Sequence, residues 1–298
     1  MAVKTFFVVI FFLPPFSTAA AAAFPADSDS SKRSPSPLVL YDASPHRGHT
    51  HLLRYEDNPK NEFLSTLNRT YGLDSLVRGS RDDAAMALRL LHWVHMRWQH
   101  DGLNEPTRRD ALTILREARD GKNFRCVEYA IVNTACLNAV GLKARTIALY
   151  TQDVEVAPVA AAHVATEVFL EDFEKWAFVD PQWDVMPMMN GFPLNAVELH
   201  DAISRQDPDL KLASLSRISK EDYTKWILPY LYYLDVAFDN SQTVAGTNLD
   251  AKGKTRLMLV PLGAKQPKIF QGISKIDNCV YTNSLIDFYE EPAEFPNK

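Results

Sequence analysis

Apolar positions recur at helical spacing through the first half of the chain and at strand spacing through its middle. Asn58 to Tyr71 carries the pattern of a short amphipathic helix. After Ser80-Arg81-Asp82-Asp83, with Ser80 the expected N-cap, the positions Ala87, Leu90, Leu91, Val94 and Trp98 predict a longer helix. A third starts at Asp110-Ala111-Leu112-Thr113-Ile114-Leu115 and ends near Gly121. A fourth runs from Cys126 to Val140, with Gly141 as its stop signal. Strands are then expected at Ala144–Thr151, His163–Leu170 and Lys175–Asp180. Leu194–Ser204 and the aromatic-rich Tyr223–Phe238 read as helices, Arg256–Leu262 and Asn278–Tyr281 as short strands. No internal repeat is visible. Helices first and adjacent strands afterwards predict an α+β fold rather than alternating α/β.

The ends of the pattern differ from its middle. Lys4 followed by the apolar run Phe6 to Leu13, too short to span a bilayer, and Ala21-Ala22-Ala23 at a cleavage position read as a secretory signal peptide over residues 1–23. Residues 24–37, rich in Ser, Pro and Ala, read as a disordered leader or pro-segment, with Lys32-Arg33 as a dibasic cleavage point. Residues 38–298 are ample for one domain, with a core over about 80–190 and a C-terminal helical and β elaboration over 191–298. The expected location is secreted, or within the secretory pathway.

Composition narrows the partners. A net charge of −5, a pI of 5.9 and the lack of any Lys/Arg-rich run argue against nucleic acid. No second hydrophobic stretch is long enough for stable membrane insertion. Asn68-Arg69-Thr70 is a glycosylation sequon, usable in a glycosylating secretory route. No cofactor is expected. His46, His49 and His51 lie close together, yet no acid or cysteine at zinc spacing completes a metal site. His92 and His95 share a helix face with tryptophans nearby, and packing is the expected role.

Three residues carry candidate chemistry. Cys126 opens a predicted helix, where unpaired N–H groups and the positive end of the helix dipole favour a thiolate. His163 opens one strand and Asp180 closes the next, just before Pro181. On neighbouring antiparallel strands a His–Asp contact is within easy reach. The histidine would hold or donate the proton as a leaving group departs, and the aspartate would set its tautomer and charge. A lone Cys, His or Asp-Pro is more often structural; the ordered set in these local contexts points to a nucleophilic acyl-transfer enzyme. With Cys126 so used, Cys136 and Cys279 are left to pair, or Cys136 is a buried free thiol. Cys126 and Cys136 are about 15 Å apart along one helix and cannot bridge.

The stretch from about Leu90 to Asp184 resembles the transglutaminase-like superfamily of thiol enzymes. The matching pieces are Asp110-Ala111-Leu112-Thr113-Ile114-Leu115, Phe124-Arg125-Cys126-Val127-Glu128-Tyr129-Ala130, Leu137-Asn138-Ala139-Val140-Gly141-Leu142-Lys143-Ala144-Arg145, His163-Val164-Ala165-Thr166-Glu167-Val168 and Val179-Asp180-Pro181-Gln182-Trp183-Asp184. From roughly Leu73 to Gln271 the chain is similar to secreted bacterial-type proteins of that superfamily. The resemblance implies a transglutaminase/papain-like core, the nucleophile at a helix N-terminus packed on an antiparallel sheet, and a Cys126–His163–Asp180 triad. Trp98 lies where relatives often place an aromatic. It would wall the acyl pocket or donate its indole N–H to an oxyanion, or it is a core tryptophan. Glu167, on the His163 face of its strand, would orient substrate or pair with Arg145. Val127 and Ala165 stand where tryptophans are frequent in the family, and no Asp/Asn-rich calcium loop is present, which weighs against calcium-dependent cross-linking.

The function this implies is acyl transfer or amide hydrolysis through a thioester on Cys126. The substrate would carry an amide, ester or thioester, on a peptide or a small molecule. The alternatives are an acyltransferase forming an amide on a small metabolite from a thioester donor, and a non-catalytic binding module of the same fold.

Overall fold

The computed structural model describes residues 39–44, 53–242 and 253–292. The expected signal peptide, the leader with Lys32-Arg33, and His46, His49 and His51 lie outside the described residues. Five helices come first: α1 (Glu62–Tyr71), α2 (Leu73–Val77), α3 (Asp83–His95), α4 (Ala111–Arg119) and α5 (Cys126–Ala139). Short polar caps start three of them. Asn61, Asp82 and Asp110 accept hydrogen bonds from the backbone N–H groups of Leu64, Ala85 and Thr113. The cap of α3 is therefore Asp82 rather than Ser80, because a carboxylate three residues before a free N–H is better placed than a hydroxyl two residues farther out. Helix α5 ends as its glycine implies: Gly141 sits at φ 94° and Leu142 N–H returns to the Leu137 carbonyl.

The strands β1 (Ala144–Tyr150), β2 (Ala162–Leu170) and β3 (Lys175–Val179) follow directly. After them come β4 (Met186–Met189), β5 (Phe192–Pro193), α6 (Ala196–Ser204), β6 (Leu210–Ala213), α7 (Lys220–Ile227) and β7 (Tyr233–Ala237). The chain closes with β8 (Arg256–Leu259), β9 (Ile269–Phe270), β10 (Ser274–Lys275), β11 (Cys279–Thr282) and α8 (Leu285–Phe288). The main sheet has the order β11-β8-β7-β1-β2-β3, antiparallel throughout except for the parallel β11–β8 edge. A three-stranded sheet β5-β4-β6 and the hairpin β9–β10 stand apart from it.

Apolar clusters cover both faces of the main sheet. Leu64, Leu90, Ile114, Val132 and Leu137 of the helices pack with Val168, Leu170 and Val179 on one face. Ile147, Ala165, Phe178, Leu199, Ile227 and Phe288 fill the other. Helix α5 is buried on nearly all sides, so its sequence is apolar around its circumference rather than on one stripe.

The expected helix Tyr223–Phe238 is corrected. Ser219 caps a helix that ends at Ile227, Leu228–Tyr230 form one 3₁₀ turn containing Pro229, and Tyr233–Ala237 is strand β7. β7 lies between β1 and β8 and is buried along its whole length, so it shows no alternation and reads like a buried helix segment. The cysteines Cys126, Cys136 and Cys279 are all free thiols, so the pairing of Cys136 with Cys279 is not formed.

Candidate active site

Cys126 is the first residue of α5, behind Arg125 as N-cap, and no side chain caps the helix end. The first-turn N–H groups are thereby left to whatever occupies the space beside the half-buried thiol. Arg125 does not compete for it. Its guanidinium folds back on Glu128 at 2.7 and 3.1 Å and also pairs with Glu105, which ties the loop before the helix to the helix itself.

β2 and β3 deliver the other two groups. Thr166 pairs with Val179, so one further step sets Asp180 opposite Ala165 and diagonal to His163 on the same face. His163 Nε2 lies 3.0 Å from Asp180 Oδ2, and the Cys126 sulfur is near enough to act on the imidazole. Asp180 is fully buried and further held by Gln182 N–H on Oδ1 at 3.1 Å and Tyr223 O–H on Oδ2 at 3.2 Å. Burial works against a charged imidazole, but the Asp180 carboxylate and the Cys126 sulfur outweigh it and push the His163 pKa up to about 10. At neutral pH the imidazole is therefore an imidazolium between the Asp180 carboxylate and the Cys126 sulfur. Burial pushes the Cys136 and Cys279 thiols up, leaving them unreactive by comparison.

The turn that carries Asp180 is clamped from α3. Asp184, at φ 55°, accepts from His92 Nδ1 at 2.8 Å, Ser216 Oγ at 2.7 Å and Ser214 Oγ at 3.3 Å. His95 Nδ1 reaches the Gln182 carbonyl at 3.1 Å. The two histidines expected to pack thus hold this turn in place through polar contacts.

Trp98 is buried, stacked 4.4 Å from the Tyr129 ring and edge-on to Phe124. Its indole N–H has no hydrogen-bond partner among the described residues. Glu167 is not open to a substrate: it is fully buried, paired with Arg145 at 2.7 Å, and also accepts from Tyr289 O–H and Ala196 N–H. Asn68 lies in α1 with its amide donating to Asp74 at 2.8 Å and to the Ala139 carbonyl at 3.2 Å, so a glycan there displaces one of these bonds. Among the described residues no group of three His, Cys, Asp or Glu could hold a metal ion. No helix among them is long and apolar enough to cross a membrane.

Sequence reasoning missed an aromatic cluster over His163. The Trp226 ring lies 4.9 Å from the imidazole and the Tyr230 ring 6.1 Å, with Trp183 and Tyr223 packed behind Trp226. Tyr223, Trp226 and Tyr230 fall three and four residues apart, a helical-face spacing that is visible in the sequence. His100 was missed too. It bridges to Phe124, two residues before Cys126, and its burial and the His163 charge hold its imidazole below the usual value.

Comparison with known proteins gives one sequence match and several partial structural ones. No curated protein matches by sequence. The fold is similar to a candidate cysteine protease from Cytophaga hutchinsonii, at 12% identity and TM-score 0.34, over 57% of this chain and 56% of that one. It is also similar to the periplasmic domain of TgpA from Pseudomonas aeruginosa bound to ethylmercury, at 22% identity and TM-score 0.32, over 40% and 45%. Red sea bream transglutaminase matches at 14% identity and TM-score 0.31, over 57% and 31%. The chain thus spans between about a third and just over half of the length of these structures. Residues 73–181, which contain Cys126, His163 and Asp180, match the Transglutaminase-like superfamily.

Proposed function

We propose that this protein is a thiol enzyme that performs acyl transfer or amide hydrolysis through a thioester on Cys126. The observation that carries the reading is the grouping of a thiol at an uncapped helix N-terminus with His163, which is hydrogen-bonded to buried Asp180. In the proposed first step the Cys126 thiolate attacks a carbonyl carbon, and the oxyanion forms beside the free N–H groups of α5. The tetrahedral species collapses as the His163 imidazolium gives its proton to the leaving amine or alcohol, which leaves a thioester and a neutral imidazole. Water or an amine then attacks the thioester carbonyl and gives its proton to His163. Collapse expels the thiolate and restores the ion pair. Asp180 keeps Nε2 protonated throughout, so that Nδ1 does the transfer. The Trp98 indole N–H is a second candidate oxyanion donor.

The test is a panel of amide, ester and thioester substrates, each with and without an added amine. Product release by the wild type and none by a folded Cys126→Ala variant is the expected result. Amine-dependent product would mark transfer, and product without amine hydrolysis. Turnover by the alanine variant at the wild-type rate would overturn the proposal. The secretory reading of residues 1–23 has its own check. Mass mapping of exported protein should find the chain starting after the Ala21-Ala22-Ala23 segment, and an intact Met1 end would refute it.

A further inference from the structure

The aromatic cluster over His163 comes from outside the family match. Residues 73–181 contain the cysteine, histidine and aspartate, whereas Trp226 and Tyr230 belong to α7 and the 3₁₀ turn after it. Tyr223, on the same face, is buried and spends its hydroxyl on Asp180. Trp226 and Tyr230 are only half-buried, with ring centres 5.3 Å apart. Trp226 is held by Trp183 at 5.0 Å and by the His163 edge at 4.9 Å, so its position is set by packing while part of its surface stays open. The Tyr230 hydroxyl has no hydrogen-bond partner among the described residues, and burial together with the nearby Cys126 charge pushes its phenol up, so it stays neutral. Two firmly seated aromatic rings beside a reacting thiol–imidazole pair are a ready apolar contact for whatever is bonded to the carbonyl under attack.

The charge around them selects the chemistry. A cation resting on Trp226 would sit beside the His163 imidazolium, whose repulsion opposes the attraction of the ring face. An anion finds no free donor on the imidazole, whose contacts are to Asp180 and Cys126. An uncharged apolar group meets neither obstacle and removes aromatic surface from water. We propose that Trp226 and Tyr230 form an acyl-donor subsite for an uncharged aromatic or branched aliphatic side chain next to the carbonyl that Cys126 attacks. The proposal rests on Cys126 being the nucleophile, as argued above.

Alkylation of the thiol tests the subsite without a known substrate. Iodoacetamide, N-phenethyl-iodoacetamide and N-(2-aminoethyl)-iodoacetamide each form one S–C bond at Cys126 and expel iodide. The second-order rate constant of each is measured by peptide mass mapping and divided by its rate with free glutathione. In the wild type the phenethyl reagent should exceed plain iodoacetamide by about tenfold, and the aminoethyl reagent should show no advantage. In Trp226→Ala the phenethyl advantage should fall to about one, Trp226→Phe should retain most of it, and Tyr230→Ala should lose part. Using the ratio within each variant cancels any change in thiolate reactivity. If Trp226→Ala does not fold, the wild-type ratios and Tyr230→Ala carry the decision. An equal rate for all three reagents in the wild type, or a phenethyl advantage untouched by these substitutions, would overturn the subsite while leaving Cys126 reactive. Failure of plain iodoacetamide to label Cys126 would overturn the nucleophile reading and the subsite with it.

Discussion

Tyr223 donates its hydroxyl to Asp180 Oδ2 at 3.2 Å, the same oxygen that His163 Nε2 approaches at 3.0 Å. A residue of α7 therefore helps hold the carboxylate that follows β3. Tyr223→Phe removes that donor without changing ring packing. It should cost about 1–3 kcal/mol of stability, as for a buried bond to a charged acceptor, and lower kcat more than it raises KM. Urea unfolding and steady-state kinetics on one preparation check both, and unchanged values would make the contact incidental.

Asp180→Asn should keep the fold and lower kcat by roughly 10- to 10³-fold. The amide still hydrogen-bonds, yet it does not stabilise an imidazolium and favours the wrong tautomer. The loss should be smaller than the roughly 10⁴-fold seen in a serine triad, because a thiol needs less help to ionise. Near-wild-type turnover would reduce Asp180 to a turn residue before Pro181.

The His163 charge should appear in the stability profile. Its folded pKa of about 10 stands above the usual value near 6.5 through Asp180 and Cys126, against the effect of burial. The folded state therefore binds the proton more tightly. The stabilisation is fully present below pH about 6.5 and is lost as pH rises through about 10. Urea unfolding at pH 7 and pH 10 should show a larger loss for the wild type than for His163→Gln. Parallel losses in the two proteins would count against the raised value.

Cys126 should be the one thiol open to a maleimide in the folded protein, since Cys136 and Cys279 are buried. After denaturation without reductant all three should react. Two thiols missing at that stage would reveal a Cys136–Cys279 bridge.

Glu167→Gln distinguishes a structural from a substrate-binding carboxylate. Arg145 is fully buried, pairs with Glu167, donates to the Phe288 carbonyl at 2.9 Å and stacks 4.3 Å from Trp176. Leaving its charge unpaired should cost about 3–5 kcal/mol, with kcat of the folded fraction unchanged. A stable variant with altered KM would return Glu167 to the substrate.

The local structure was largely determined by the sequence itself. The 3.6-residue period of α3 to α5, the change to strands at Ala144 and the glycine after α5 are decided by near neighbours, so they are legible without the fold. The same holds for Cys126, His163 and Asp180, whose contexts at a helix start, a strand start and a strand end already imply their approach. Only the tertiary structure could separate α7 from β7, because a central strand buried on both faces loses the alternation that names it. Only it could decide between Arg145 and a substrate as the partner of Glu167, and bring Tyr223, Trp226 and Tyr230 onto Asp180 and His163. Those contacts join segments far apart in the chain, and no periodicity records which distant surface a side chain will meet.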